Sequence, residues 1–413
     1  MSDNQAFLVP RGERGVTARR YFERLVLRIC AAAMRGLVSG RVTLTLPSGQ
    51  SAVFEGPGEG THAEIFVHNS GLFWKSLRRG GIGFAESYFK GDWSTPDLGA
   101  VFRFFLENRR KLDRKGEGWF QVRLPDRLYH RSRRNSRKGS RRNIADHYDL
   151  GNEFYRLWLD ETMTYSSALY HEPDQSLASA QKAKQERILE LLNLGPGDSL
   201  LDIGCGWGSL GLRAAELNGA SVTGLTLSRA QRQFAIADAR SRGLDQRCDF
   251  LLQDYRDASG TFDRAASIEM IEAVGEEQWP SFFGVLNDRL RAGGIAVVQA
   301  ITISERAFQR YRTRPDFIQR YIFPGGMLPT RRRIEEAAAR AGFAIDLEEG
   351  LGQSYALTLR EWRRRFEDNW RRIETLGFDA RFRRLWNYYL TYCEVGFERG
   401  VIDVGMYRLI KAD

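Results

Sequence analysis

Cysteine and histidine are scarce in this chain. Its 413 residues include four cysteines (Cys30, Cys205, Cys248, Cys393), none at paired spacing, and five histidines, none in a ligand-like pair. A disulfide framework and a metal knuckle are both excluded on that ground, and no metal ligand is assigned. Long hydrophobic runs are also missing: nothing approaches the roughly eighteen apolar residues that span a bilayer. The start is polar, and the first apolar stretch is broken by Arg24, Arg28 and Arg35, which argues against a cleaved leader. A soluble, cytoplasmic protein is expected, touching a membrane only peripherally at its inner face.

Positive charge is concentrated in one third of the chain. Residues 1–142 hold 27 Lys/Arg against 13 Asp/Glu, while the remainder holds 35 against 39. Such asymmetry points to a polyanionic partner, either an anionic membrane surface or nucleic acid. Apolar residues make up 42% of the chain and charged residues 28%, enough for a packed core, and the length suggests two domains. Residues 131–142 carry seven positive charges and no apolar side chain, the composition of a tether or a phosphate-binding strip. The expected organisation is a basic α+β domain over 1–130, this linker, and a second domain over 143–413.

In the first part, apolar spacing at Phe22, Leu25, Ile29, Ala33 and Leu37 predicts a helix over 17–38, packed on its own domain or docked on a membrane. Short strands are predicted over 41–46, 52–54 and 63–68, and a helix over 101–110. From 180 onward helix and strand alternate: helices over 180–192, 210–217, 229–242 and 279–290, strands over 199–203, 221–225, 249–252, 265–268 and 294–301. That rhythm predicts an α/β fold with a doubly wound, mostly parallel sheet, Rossmann-like, beside the smaller α+β domain.

The first strand of this region ends Leu201-Asp202-Ile203-Gly204-Cys205-Gly206-Trp207-Gly208 and opens a helix. Its glycines let the backbone turn sharply and approach a ligand. The spacing is Gly-x-Gly-x-Gly, and Asp202 precedes the first glycine by two residues; both favour S-adenosylmethionine over a nicotinamide dinucleotide, with Asp202 bonding the ligand's amino group or organising the loop. After the second strand, Thr226 and Gln231 stand as polar substitutes for the usual acidic ribose ligand, with Ser228 a candidate helix cap. After the third, Asp254 and Tyr255 suit an adenine amino group and ring, unless Asp254 begins a turn. Glu269 and Glu272 follow a buried strand at the sheet's carboxyl edge, where α/β ligands sit, or else start a solvated helix. Basic and aromatic residues interleave over 303–329, as an interfacial element at a tunnel mouth or an insertion packed on the sheet.

These residues resemble the cyclopropane-fatty-acyl-phospholipid synthase family, which includes the mycolic acid cyclopropane synthases. The resemblance rests on His147-Tyr148-Asp149-Leu150-Gly151-Asn152-Glu153-Phe154-Tyr155, on Met163-Thr164-Tyr165-Ser166, on the glycine loop, on Gly224-Leu225-Thr226-Leu227-Ser228 and on Ile271-Glu272-Ala273-Val274-Gly275. Tyr321-Ile322-Phe323-Pro324-Gly325-Gly326, Tyr355 with Trp362, and Asn387-Tyr388-Tyr389-Leu390 extend it. It covers 143–411 densely, and Gly80-Gly81-Ile82-Gly83 suggests the long bacterial form. It implies an S-adenosylmethionine-dependent C-methyltransferase acting on acyl chains of membrane phospholipid, with Tyr165, Ser166, Trp207 and Leu227 joining the cofactor residues and helices covering an acyl channel at the C-terminus. A homodimer is compatible with it.

The family is understood to hold bicarbonate as the base. Its Glu, Ile and Tyr ligands correspond here to Glu272, Ile301 and Tyr355, whereas Ser167 stands for Cys and Gln299 for His. Cyclopropane formation is the expected outcome, with a methyl-branched chain the alternative. A nucleic-acid methyltransferase is a competing reading, but Ile268-Glu269-Met270-Ile271-Glu272 fits neither an Asn-Pro-Pro-Tyr motif nor a catalytic Cys. An inactive lipid-binding relative is the other, motivated by Ser167 and Gln299.

Overall fold

The computed structural model describes residues 11–109 and 150–412 apart from 315, with side chains from 21 onward. The chain divides into two compact units, Met1–Val122 and Arg123–Asp413. That divide, the basic linker read over 131–142, and His147, Tyr148 and Asp149 lie outside the described residues.

In the first unit, β1 (Ser39–Thr45), β2 (Ser51–Glu55), β3 (Gly58–Val67) and β4 (Trp93–Ser94) form one sheet in the order β2-β1-β3-β4. Among the described residues three helices accompany it, α1 (Arg11–Ala33), α2 (Gly71–Phe89, kinked at Gly80) and α3 (Leu98–Glu107). β1 alternates buried Val42 and Leu44 with more open Arg41 and Thr43, so one sheet face is covered. Val101 and Phe104 of α3 join Val42, Ile65 and Trp93 in that core. Sequence periodicity put Leu25 and Ile29 on the apolar stripe of α1, to be packed on the domain or docked on a membrane. Both are exposed, with Tyr21, whereas Val26 is buried. Two apolar sets share this helix, so apolar spacing alone does not say which one meets the core.

The second unit is built on seven strands: β5 (Ser199–Ile203), β6 (Ser221–Thr226), β7 (Cys248–Leu252), β8 (Phe262–Ile268), β9 (Leu290–Ile303), β10 (Phe343–Gly350) and β11 (Ile402–Lys411). Their order is β10-β11-β9-β8-β5-β6-β7. β5 to β9 pair in parallel, and β11 runs antiparallel to both β9 and β10. Four residues of β5 are fully buried, as helices on both faces of a parallel sheet require. Among the described residues the helices are α4 (Asn152–Arg156), α5 (Leu177–Leu192), α6 (Ser209–Asn218), α7 (Arg229–Ser241), α8 (Trp279–Arg289), α9 (Glu305–Thr313), α10 (Phe317–Tyr321), α11 (Arg331–Arg340), α12 (Gly352–Asp368), α13 (Trp370–Thr375) and α14 (Ala380–Glu398).

Strands β10 and β11 have no counterpart in the sequence reading, which took the C-terminal part as helical. β10 is an edge strand carrying Asp346, Glu348 and Glu349, a charged edge that hides the alternation of a strand. The strand order reverses between β5 and β8, which opens a crevice at their carboxyl ends. Both the glycine loop and the Glu269–Glu272 segment emerge there.

Candidate active site

The glycine loop is fastened to β6. Gly204 N–H and Cys205 N–H both donate to the Leu225 carbonyl at 2.9 Å. Gly204, Gly206 and Gly208 have φ of 81°, 55° and 88°, the left-handed region that glycine enters without strain. A Cβ on Gly204 would stand 2.7 Å from Met270 Cγ, and one on Gly208 2.9 Å from both Ala235 and Phe250. The loop therefore offers bare backbone to whatever lies above it. Trp207 is buried and donates from its indole to Asn152 Oδ1 at 2.8 Å. Cys205 is a buried filler whose thiol burial pushes well up, which keeps it from acting as a nucleophile.

Asp202, at the end of β5, is buried, and its Oδ2 has no hydrogen-bond partner. Burial pushes its carboxyl up to about 7, tempered by the nearby Lys184 ammonium. A buried carboxylate oxygen left open beside bare glycines fits a cationic amino group, which would supply the missing donor. Lys184 is itself held down to about 8 by burial, against the charges of Glu269, Asp160 and Asp202.

Sequence reasoning missed Lys184. Gln181, Lys184 and Gln185 interrupt the buried face of α5, and that interruption was the available signal. All three grip the strip 164–166: Gln181 Nε2 donates to the Ser166 carbonyl (2.9 Å), Lys184 Nζ to Ser166 Oγ (2.8 Å) and Gln185 Nε2 to Thr164 Oγ1 (3.2 Å). From the other side, Asp160 Oδ1 accepts the Thr164 N–H at 3.0 Å.

At the end of β6, Thr226 Oγ1 donates to Gln231 Oε1 at 2.7 Å, with Leu227 half-buried beside them. Ser228 caps α7, accepting the Gln231 N–H at 3.3 Å. Thr226 and Gln231 thus form one polar pair where a ribose ligand is expected. After β7, Asp254 does begin a turn: it accepts the Arg256 N–H at 3.0 Å and pairs with the Arg256 guanidinium at 2.6 Å. Tyr255 packs edge-on against Phe282 at 5.7 Å, and its buried hydroxyl has no partner.

The sharpest geometry lies at the end of β8. The β8–β9 register pairs Ile268 with Gln299, so Gln299 stands beside the residue that follows the strand. That residue is Glu269. Its Oε1 accepts from the Ser167 N–H (2.8 Å) and Gln299 Nε2 (2.7 Å), and its Oε2 from the Tyr355 hydroxyl (2.7 Å). The Ser167 hydroxyl turns away to the Ala168 carbonyl at 2.9 Å. Glu272, one short turn on, accepts the Ile301 N–H with Oε1, while its buried Oε2 finds no partner. Burial and the Glu269 charge push the Glu272 carboxyl up to about 8. Burial raises Glu269 too, but its three donors and Lys184 pull the other way. Both glutamates lie deep yet keep part of their surface open, as groups lining an internal site do. Ser167, Gln299 and Tyr355 therefore meet at one point, and what they hold there is Glu269; the sequence reading had weighed Glu269 without assigning it a role.

Aromatic rings wall this point. Trp362 lies 5.2 Å from Tyr165 and 6.0 Å from Tyr355, and Tyr355 lies 4.4 Å from Phe397, centroid to centroid. The Tyr165 and Tyr389 hydroxyls share a hydrogen bond at 2.9 Å. Helices α12 and α14, which carry most of these rings, are clamped by buried Glu394, which pairs with Arg360 at 2.9 Å and Arg363 at 3.2 Å. The stretch 303–329 is a packed insertion: Phe308, Phe317 and Ile322 are buried, Arg312 pairs with Glu276 at 2.6 Å, and Arg333 covers the Phe308 ring at 4.3 Å.

Among the described residues, no group of His, Cys, Asp and Glu is placed to hold a metal, and no helix is long and apolar enough to cross a membrane. Residues 135–407 match the family described as mycolic acid cyclopropane synthetase. Tuberculostearic acid methyltransferase UfaA1 of Mycobacterium tuberculosis is 36% identical over 98% of this chain and 94% of its own. The cyclopropane-fatty-acyl-phospholipid synthase of Escherichia coli K12 is 35% identical over 81% of this chain and 84% of its own. The structure of mycolic acid cyclopropane synthase CmaA1 complexed with SAH and CTAB superposes with a TM-score of 0.62 at 33% identity, over 66% of this chain and 98% of that one. With the glycine loop, the strand order and these matches in agreement, the chain belongs to the mycolic acid cyclopropane synthetase family, as an S-adenosylmethionine-dependent methyltransferase of the cyclopropane synthase type.

Proposed function

We propose that this enzyme transfers the methyl carbon of S-adenosylmethionine to the double bond of an unsaturated acyl chain in a membrane phospholipid, with a cyclopropane ring as product. The observation that carries the reading is the pair Glu269 and Glu272, set among Tyr165, Tyr355 and Trp362 at the crevice where the glycine loop also opens. The cofactor supplies a methyl group on a positively charged sulfur. The protein's residues do the rest. Asp202, Thr226, Gln231, Asp254 and Tyr255 hold and orient the cofactor, and Tyr165 and Ser166 close over it. The aromatic rings exclude water and steady positive charge on the alkylated chain, each cation–ring contact contributing about 0.5–2 kcal/mol. The Glu269 and Glu272 carboxyl groups face the reacting carbon.

The phospholipid substrate is supported by the Escherichia coli relative, a cyclopropane-fatty-acyl-phospholipid synthase. Docking on anionic lipid is supported by the first unit, where Tyr21, Leu25, Ile29, Trp74 and Leu77 are exposed and Phe22 stacks on Trp74 at 6.3 Å. Arg24, Arg28 and Arg78 are exposed on the same two helices. A methyl-branched product is the second reading. It is favoured by Ser167 and Gln299, and by the relative matched over 98% of this chain, which is named for tuberculostearic acid. Lipids extracted from an expressing cell and resolved by mass spectrometry and NMR test both. Ring protons at high field support the cyclopropane; a product one methylene heavier that retains olefinic protons refutes it in favour of the second reading. No lipid product alongside turnover on RNA would refute both.

A further inference from the structure

Three hydrogen-bond donors from distant parts of the chain converge on the Glu269 carboxylate: the Ser167 backbone N–H, the Gln299 amide and the Tyr355 hydroxyl, all within 2.8 Å. They are also three of the positions at which resemblance placed ligands for a free bicarbonate. In this chain those three donors are taken by a side chain of the protein itself. Its backbone is unusual: Glu269 has φ of 52°, one of three non-glycine residues among those described with positive φ. That conformation costs on the order of 1 kcal/mol, and such strain persists only where the surroundings hold it. Here the carboxylate is held by its three donors, and the main chain by the Glu269 N–H donating to the Gln299 carbonyl at 2.8 Å. A second anion at this point would face Glu269 itself, with Glu272 beside it, and would find the three donors already engaged.

We propose that the Glu269 carboxylate is a built-in base that takes the proton from the transferred methyl group, so that the enzyme turns over without bicarbonate. This rests on the methyl-transfer reading above. The alkene π pair forms the new bond to the methyl carbon, the carbon–sulfur pair leaves with sulfur, and the positive charge passes to the neighbouring acyl carbon. A Glu269 oxygen then accepts a proton from the new methyl group and becomes the neutral acid. The freed C–H pair either closes on the cationic carbon as a ring or, once a hydride has moved from the methylated carbon, forms a double bond. Glu272 is the less suitable of the two acids: burial raises both, but the Glu269 charge adds to the rise at Glu272, which reaches about 8, whereas at Glu269 the three donors and Lys184 offset part of it.

The test measures S-adenosylhomocysteine formation on vesicles of cis-unsaturated phospholipid in buffer stripped of carbon dioxide, and bicarbonate binding by [13C]bicarbonate NMR. Wild type is expected to keep its rate without bicarbonate and to bind none. Glu269→Gln should lose about 100-fold or more, the usual contribution of a positioned base. Glu269→Gly, easily accommodated at this φ, should lose as much, then bind bicarbonate and recover at least about tenfold of the rate when it is added. A merely structural role would not produce that rescue. Wild-type turnover that collapses without bicarbonate, wild-type bicarbonate binding, or Glu269→Gln activity near that of wild type would each overturn the proposal. If wild type turns over no vesicle lipid, the methyl-transfer reading fails, and the binding measurement still decides whether Glu269 occupies the anion site.

Discussion

Replacing Glu272 with Gln tests the charge state of the acid pair through stability. Glu272 donates nothing to a partner in the fold: Oε1 accepts the Ile301 N–H and Oε2 is buried without one. Its carboxyl is raised from 4.5 to about 8 by burial and the Glu269 charge. A group raised in this way binds its proton more tightly folded than unfolded. Its contribution to stability is intact below 4.5 and is lost as pH climbs toward 8. At about 1.4 kcal/mol per pH unit, the loss by pH 7 is roughly 3 kcal/mol. Gln has the shape of the protonated acid, still accepts from Ile301 and never ionises. Cofactor-free Glu272→Gln should therefore melt with wild type near pH 4.5 and above it at pH 7, by roughly 5 °C for a unit of this size. Asp202, raised to about 7, sheds its proton in the same window in both proteins and cancels in the difference. Melting curves that coincide from pH 5 to 8 would refute the reasoning and leave Glu272 ionised in the fold.

Three further outcomes are expected. Asp202→Asn should weaken S-adenosylhomocysteine binding about ten- to hundredfold by calorimetry, the worth of a buried charge-assisted hydrogen bond; unchanged affinity would remove Asp202 from the cofactor site. Gly208→Ala should destabilise by about 1–3 kcal/mol in chemical denaturation, because its φ is 88° and its new Cβ would press on Ala235 and Phe250; an unaltered midpoint would show that the loop relaxes freely. Trp74→Ser should weaken sedimentation with anionic vesicles several-fold, and binding of the wild type should fall steeply with salt as surface charges are screened. Equal binding to neutral vesicles would refute the electrostatic part.

Much of this was legible in the sequence where local and global signals coincide. The glycine loop sits between a buried strand and a helix that ends at Asn218-Gly219, so period, punctuation and ligand chemistry all agree at 199–218. Glu269 was not legible in the same way. Its role depends on a left-handed backbone at the end of β8 and on the register that sets Gln299 beside it, and neither is encoded within a short window. Lys184 shares the buried face of α5 with Gln181 and Gln185, a polar interruption that reads as noise until Ser166 is seen opposite it. Strand β10 and the inner face of α1 were obscured for related reasons: edge charges broke one alternation, and two apolar sets competed on the other helix.

The strip from Thr164 to Ser167 has a consequence for how this enzyme tolerates change. Thr164 and Ser166 are pinned by Gln185, Gln181 and Lys184, Tyr165 reaches Tyr389, and the very next N–H, that of Ser167, holds Glu269. Neighbouring residues thus serve two sites that are read as separate. A one-residue insertion or deletion here would displace both the residues proposed to close over the cofactor and the N–H that holds Glu269, whereas the same change in an exposed turn would displace neither. Exchanging one side chain of the strip breaks one contact, whereas changing its length shifts all of them at once.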